Sequence, residues 1–169
     1  PRHVYRADFT GATANSLHWF AGFLFGAFLK NRRISLLDNR PLEHLLSRHL
    51  DFSRIEANIK AGALDAVAIS CSGYTSGQSV SFFQGGSGLE GWERNQRIGA
   101  AVPLKLDLLL ASAALPFIFP AVKVHREYFG DGSMRQIAPV SPALHLGADR
   151  VLIVGTGRQT LDTGRARSN

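Results

Sequence analysis

Ala111-Ser-Ala-Ala-Leu-Pro-Phe-Ile-Phe-Pro120, followed by Phe129-Gly-Asp-Gly-Ser133, is the stretch on which the reading of this chain turns. An apolar helix end runs into two prolines, and after a short crossing the chain reaches an Asp held between two glycines. Glycine on both sides lets the backbone take positive φ, which would push the Asp131 carboxylate out at the tip of a turn. That is one way to present a catalytic carboxylate. Asp-Gly is equally a standard closure for a β-hairpin. Taken locally the hairpin comes first, and the flanking sequence has to decide.

Working outward, Leu104–Leu115 is expected to be a helix ended by Pro116, which has no N–H to give. Ala121–Val124 and Glu127–Phe129 read as a two-stranded ribbon, and Pro142–Leu146 as a short helix closed by Gly147. Ala148–Val154 is expected to form a last strand, central and parallel. Upstream, the near-continuous apolar run Leu64–Ser72 suits a buried strand, and a short loop joins it antiparallel to Ser79–Gln84. Gln84–Gly91 reads as a flexible loop, because it lacks the Gly-Lys-Ser/Thr of a phosphate-binding loop. Pro41–His49 has leucines at helical spacing, and a second helix starts near Ser53 and stops at Gly62. Nearer the N-terminus, Leu17–Leu29 is an apolar helix candidate started by Thr13, Asn15 or Ser16. Val4 and Tyr5 suggest a short strand. Alternating strands and helices argue for one layered α/β domain over residues 1–157, with a polar tail over 158–169.

With 169 residues, 45% hydrophobic and 19% charged, the chain can build one proper core. The single Cys71 excludes an internal disulfide framework and a Cys-x-x-Cys metal site. The six histidines show no metal-ligand spacing. A net charge of +6 is spread thinly, with small clusters at Lys30–Arg33 and Arg165–Arg167, so nucleic acid is not an expected partner. The same charge suits peripheral contact with anionic lipid head groups, or simply a solvated basic surface. Leu17–Leu29 falls short of the about 20 residues that a membrane span needs.

Three blocks in order, Leu110–Pro120, Tyr128–Ser133 and Pro139–Asp149 followed by a hydrophobic strand, resemble the C-terminal half of the patatin-like phospholipase domain. Leu64–Phe83 is similar to the middle strands of bacterial members, and Arg33–Leu42 to the helical segment before them. The resemblance implies a three-layer α/β/α fold with a mixed, mostly parallel central sheet. It also implies a serine lipid acyl hydrolase that cleaves lipid or phospholipid esters through a Ser–Asp dyad, with no metal or organic cofactor. Asp131 matches the dyad's Asp and becomes the general base, with Gly130, Gly132 and Ser133 supporting its turn. Ser133 replaces the small Gly or Ala of the family's third motif position. A free Asp with pKa about 3.9 is a weak base at neutral pH, so a buried, water-poor site is expected around it. Pro116, Phe117 and Phe119 are candidates to line that pocket, or else pack in the core.

The family's nucleophile sits in Gly-x-Ser-x-Gly at a strand-to-helix elbow, ahead of which a glycine-rich loop forms the oxyanion hole. Neither motif occurs in these 169 residues. Ser76, Ser87 and Ser112 each lack the strand–elbow–helix context. The expectation is a C-terminal part of a longer patatin-like domain, incompetent for hydrolysis by itself. The expected setting is bacterial, in the cytoplasm or at a membrane surface. The alternative is a non-catalytic module that sits on a membrane or binds a protein.

Overall fold

A computed structural model describes residues 35–136 and 138–155. The expected Leu17–Leu29 helix, the Val4–Tyr5 strand and the tail 158–169 lie outside the described residues. Two helices come first, α1 (Arg40–His49) and α2 (Ser53–Lys60). Pro41 stands in the first turn of α1, where a missing N–H costs nothing. Asp51 starts α2 by accepting bonds from the Ser53 N–H (3.0 Å) and hydroxyl. Gly62, at φ +68°, ends the segment in a conformation that other residues avoid.

Strands β1 (Ala66–Gly73) and β2 (Ser79–Gly85) follow, and pair antiparallel from Ala66↔Gly85 to Ser72↔Ser79. Next come β3 (Trp92–Arg94), β4 (Arg97–Ala101) and helix α3 (Leu106–Ser112). β5 (Val122–Val124) and β6 (Glu127–Asp131) form the expected ribbon, and α4 (Ser141–His145) the expected short helix. The sheet has six strands in the order β3-β4-β2-β1-β6-β5.

The sheet is mixed, but it is not mostly parallel: only β2 and β4 run parallel, and every other pair is antiparallel. Short connections explain this, since a parallel pair needs a crossover of a dozen or more residues. β3 itself supplies that crossover, lying reversed outside β4. The β3–β4 hairpin was not expected from sequence. Its two-residue loop is Asn95-Gln96, with φ of 24° and 64°, where the usual turn sequence would be Asn-Gly. Helix α3 is shorter than Leu104–Leu115 at both ends and stops at Ser112, four residues before Pro116. The last expected strand is absent: Val151–Val154 has no regular structure, and Leu152, Ile153 and Val154 are 88%, 71% and 85% exposed. No described strand lies beside it to supply a ladder.

Alternation along the strands sorts the two sheet faces. Val67, Ile69 and Cys71 of β1 and Val80 and Phe82 of β2 pack with Leu104, Leu108, Ala111 and Phe129. The Phe82 and Phe129 rings meet edge to face at 5.2 Å. On the opposite face β1 and β2 carry small or hydroxylated residues apart from Phe83, and the Ser70 and Ser81 hydroxyls bond at 3.0 Å. Phe83, almost fully buried, stacks on Trp92 at 5.3 Å, and Trp92 stacks on His145 at 4.7 Å. Trp92 lies directly over its cross-strand partner Gly99, which has no room for a Cβ. The sheet is thus flanked by helices, with α3 on one face and the end of α4 meeting the other. Among the described residues no helix is long and apolar enough to cross a membrane.

Candidate functional site

Asp131 is the last residue of β6, not the tip of a turn. β6 is held by β5 on one side and by the end of β1 on the other, where Cys71 stands opposite Asp131. The Asp131 N–H donates to Ala114 O at 2.9 Å, so the alanine turn just after α3 fixes the strand's exit. Its carboxylate Oδ1 accepts the Ser133 N–H at 2.8 Å, which caps a single 3₁₀ turn, Gly132–Met134. Asp131-Gly132 closes no hairpin; the turn of the expected ribbon falls at His125-Arg126, between β5 and β6, where His125 has φ 54°.

The flanking glycines serve a purpose other than the expected one. Neither Gly130 nor Gly132 has positive φ. Both are sites of close approach. A Cβ on Gly132 would lie 2.1 Å from the Ser70 carbonyl oxygen, and one on Gly130 would lie 2.2 Å from the Tyr74 hydroxyl. The glycines therefore let the Asp131 segment press against β1 and let Tyr74 lie across β6. Ser133 contributes through its amide, while its residue remains exposed.

Asp131, Gly132, Ser133 and Ser112 help line an open groove of about 1290 Å³. Ala66, Ala68 and Leu146 line the same groove. Pro116, Phe117 and Phe119 do not line it. They line a separate hollow of about 390 Å³ with Tyr74, Met134 and Arg135. Tyr74, which lines this hollow, also lies across Gly130, the neighbour of Asp131. Burial first, and the Asp131 charge second, push the Tyr74 phenol above its ordinary value. Phe117 is 65% exposed at φ 66°, an uncommon conformation for a bulky residue.

Sequence reasoning did not find Tyr74 or Ser70, because nothing local marks them; only the sheet register brings them to Asp131. Ser70 is the hub of a small polar network. Its hydroxyl accepts Gln136 Nε2 at 3.2 Å, and its carbonyl accepts the Ser112 hydroxyl at 2.8 Å. Among the described residues no serine hydroxyl hydrogen-bonds the Asp131 carboxylate. Ser76 belongs to a different loop, where its N–H and that of Thr75 bond Glu127 Oε1 at 2.7 and 3.0 Å. Burial alone would raise the Glu127 carboxyl, but these bonds outweigh it and hold the group below its usual value. Ser87 is exposed in the loop after β2. No cluster of three or more His, Cys, Asp or Glu among the described residues could hold a metal ion.

Cys71 lies opposite Asp131 and is fully buried. Burial, and then the Asp131 charge, push its thiol from 9.0 up to about 12. Such a thiol is inert in the folded protein. Native chain at pH about 8 is expected to leave Cys71 unmodified by a disulfide reagent until denaturant is added. Rapid stoichiometric labelling of native protein would contradict this. The folded pKa is raised, so Cys71's contribution to stability is complete below pH 9 and is lost as pH rises toward about 12.

Compared with known proteins, the chain matches no protein-family model, no curated protein and no solved structure.

Proposed function

We propose that this chain carries the acid half of a serine acyl hydrolase site, with Asp131 as the general base for hydrolysis of lipid or phospholipid esters. One observation carries the reading: Asp131 ends a doubly paired strand in the lining of a large open groove, with its carboxylate oriented by the Ser133 amide. A carboxylate fixed in this way can accept a hydroxyl proton without reorganising, as base catalysis requires. The nucleophile is a serine in a strand–Gly-x-Ser-x-Gly–helix segment outside these 169 residues, and the complete unit is a three-layer patatin-like domain. The serine oxygen attacks the ester carbonyl as its proton passes to Asp131. The alcohol leaves, and water then releases the fatty acid from the acyl-enzyme. Helix α3 on one face of the sheet and the end of α4 on the other support this reading.

The test compares fatty-acid release from mixed phospholipid vesicles by two proteins. One is the 169-residue chain, and the other is the product of the reading frame extended upstream. Release by the extended product, with fluorophosphonate labelling of one serine and neither signal from the shorter chain, is the expected result. An extended product without release or labelling would sink the hydrolase reading. Asp131-dependent turnover by the 169-residue chain would show that the nucleophile lies within it.

A further inference from the structure

Tyr74–Gln78, the loop between β1 and β2, is tied down by a side chain from far along the chain. Glu127 opens β6, and its Oε1 accepts the Thr75 N–H at 3.0 Å and the Ser76 N–H at 2.7 Å. Bonds from N–H groups to an ionised acceptor are about twice as strong as neutral ones. The fit is close: Glu127 Oε1 and Ser76 Oγ leave no space for a Cβ on Gly73. Two further bonds flank the pair. The Tyr74 N–H donates to Tyr128 O at 3.0 Å, and Arg135 Nη1 donates to Gly77 O at 3.0 Å.

The same loop delivers Tyr74 to its place. The phenol end lies against Gly130, the residue before Asp131, close enough to forbid a Cβ there. The backbone sets that place from both sides: Tyr128 holds residue 74 itself, and Glu127 holds the two residues after it. A side-chain carboxylate can give up its share without breaking the sheet ladder. Protonation removes the charge that strengthens both amide bonds. Among the described residues Glu127 forms no ion pair, so its hold on the loop acts through amides alone. The titratable and charged groups around it are Tyr74 on the loop, Lys123 on β5, His125 and Arg126 in the β5–β6 turn, Asp131 at the far end of β6, and Arg135. Lys123 lies over the Tyr128 ring, 6.0 Å from its centroid, and Arg135 is engaged with the Gly77 carbonyl.

We propose that Glu127 is a pH-sensitive latch: as a carboxylate it keeps the Tyr74–Gln78 loop closed with Tyr74 across Gly130, and when protonated it releases the loop, so that Tyr74 swings away and bares the strand beside Asp131. The direction follows from the bonds. Burial would raise the Glu127 carboxyl, but the bonds from Ser76 and Thr75 outweigh it and hold the group below its usual value. The latch is therefore closed above the usual carboxylate range and opens as pH falls through the lowered value. This inference concerns access to the Asp131 segment and does not rest on the hydrolase reading.

The test follows the isotope-labelled 169-residue chain by NMR. The Tyr74 ring current shifts the Gly130 Hα resonances, and Tyr74→Leu marks where they lie without it. At neutral pH, Glu127→Ala is expected to bring these resonances to the Tyr74→Leu position. It is also expected to speed exchange of the Thr75 and Ser76 amides about tenfold or more, with the paired amides of β1 and β2 unchanged. On acidification to pH about 3, the parent is expected to take the same path as Glu127 protonates. Glu127→Gln keeps an oxygen acceptor and cannot titrate, so its Gly130 resonances are expected to stay where they began. Gly130 resonances unmoved in a folded Glu127→Ala chain would overturn the proposal. So would an acid shift of Gly130 that persists in Glu127→Gln, or a parent in which Gly130 stays put until the whole chain unfolds.

Discussion

Gly132→Ala is expected to destabilise the chain by about 3 kcal/mol, at the upper end of what overpacking costs. The added Cβ would sit 2.1 Å from the Ser70 carbonyl oxygen and 2.7 Å from its carbon, and both atoms are backbone. Ser70 cannot swing aside. It is held in β1 by β2, its hydroxyl bonds Ser81 and its carbonyl accepts the Ser112 hydroxyl. The other escape is to move Gly132 away from β1. That would strain the Asp131 exit, which is fixed by Ala114 and Ser133. Gly130→Ala provides an internal contrast. Its new Cβ meets the end of the Tyr74 side chain, a group 42% exposed that can rotate outward. It is expected to cost about 1 kcal/mol. Urea unfolding of the two variants beside the parent chain checks both values. A Gly132→Ala protein within about 0.5 kcal/mol of the parent would mean that the close packing of Asp131's segment on β1 is not a structural constraint.

The contrast between these glycines shows where sequence reading reached its limit. Gly130-Asp131-Gly132 was legible as a special stretch of backbone, read as glycines permitting positive φ around a projecting Asp. The reason for it was not legible, because positive φ is a local property and close approach depends on which strand lies alongside. The helices and the β1–β2 and β5–β6 pairs could be read from periodicity and short loops. The β3–β4 hairpin could not, because Gln96 stands where glycine would signal the turn. Val151–Val154 misled for a related physical reason. Apolar, β-branched composition states what a segment would do given a partner strand, and no described strand lies beside it. Within the candidate site, Asp131 stood out by its flanking glycines, and the structure places it beside the groove. Pro116, Phe117 and Phe119 were grouped with it by nearness in sequence. The chain instead turns after α3 and carries them to the separate hollow that Tyr74 also lines. Tyr74 and Ser70 reach Asp131 only through the pairing of β1 with β6.

Asp131→Asn is the substitution with the largest expected effect on activity. General-base catalysis contributes typically 10²–10⁴-fold, and an amide cannot take the proton of an attacking serine. The structural role of the side chain survives the change. Asn keeps one carbonyl oxygen in place of Oδ1 and can still accept the Ser133 N–H. The Asp131 N–H bond to Ala114 involves the backbone alone and is untouched. Loss of chemistry without loss of fold is therefore the signature to look for.

The deciding measurement is kcat for ester hydrolysis by the extended product, parent against Asp131→Asn, with urea unfolding of the same two samples. A fall in kcat of about 10²–10⁴-fold with unchanged unfolding is the expected result. A folded Asn variant that keeps kcat within about threefold of the parent would contradict the assignment of Asp131 as the base.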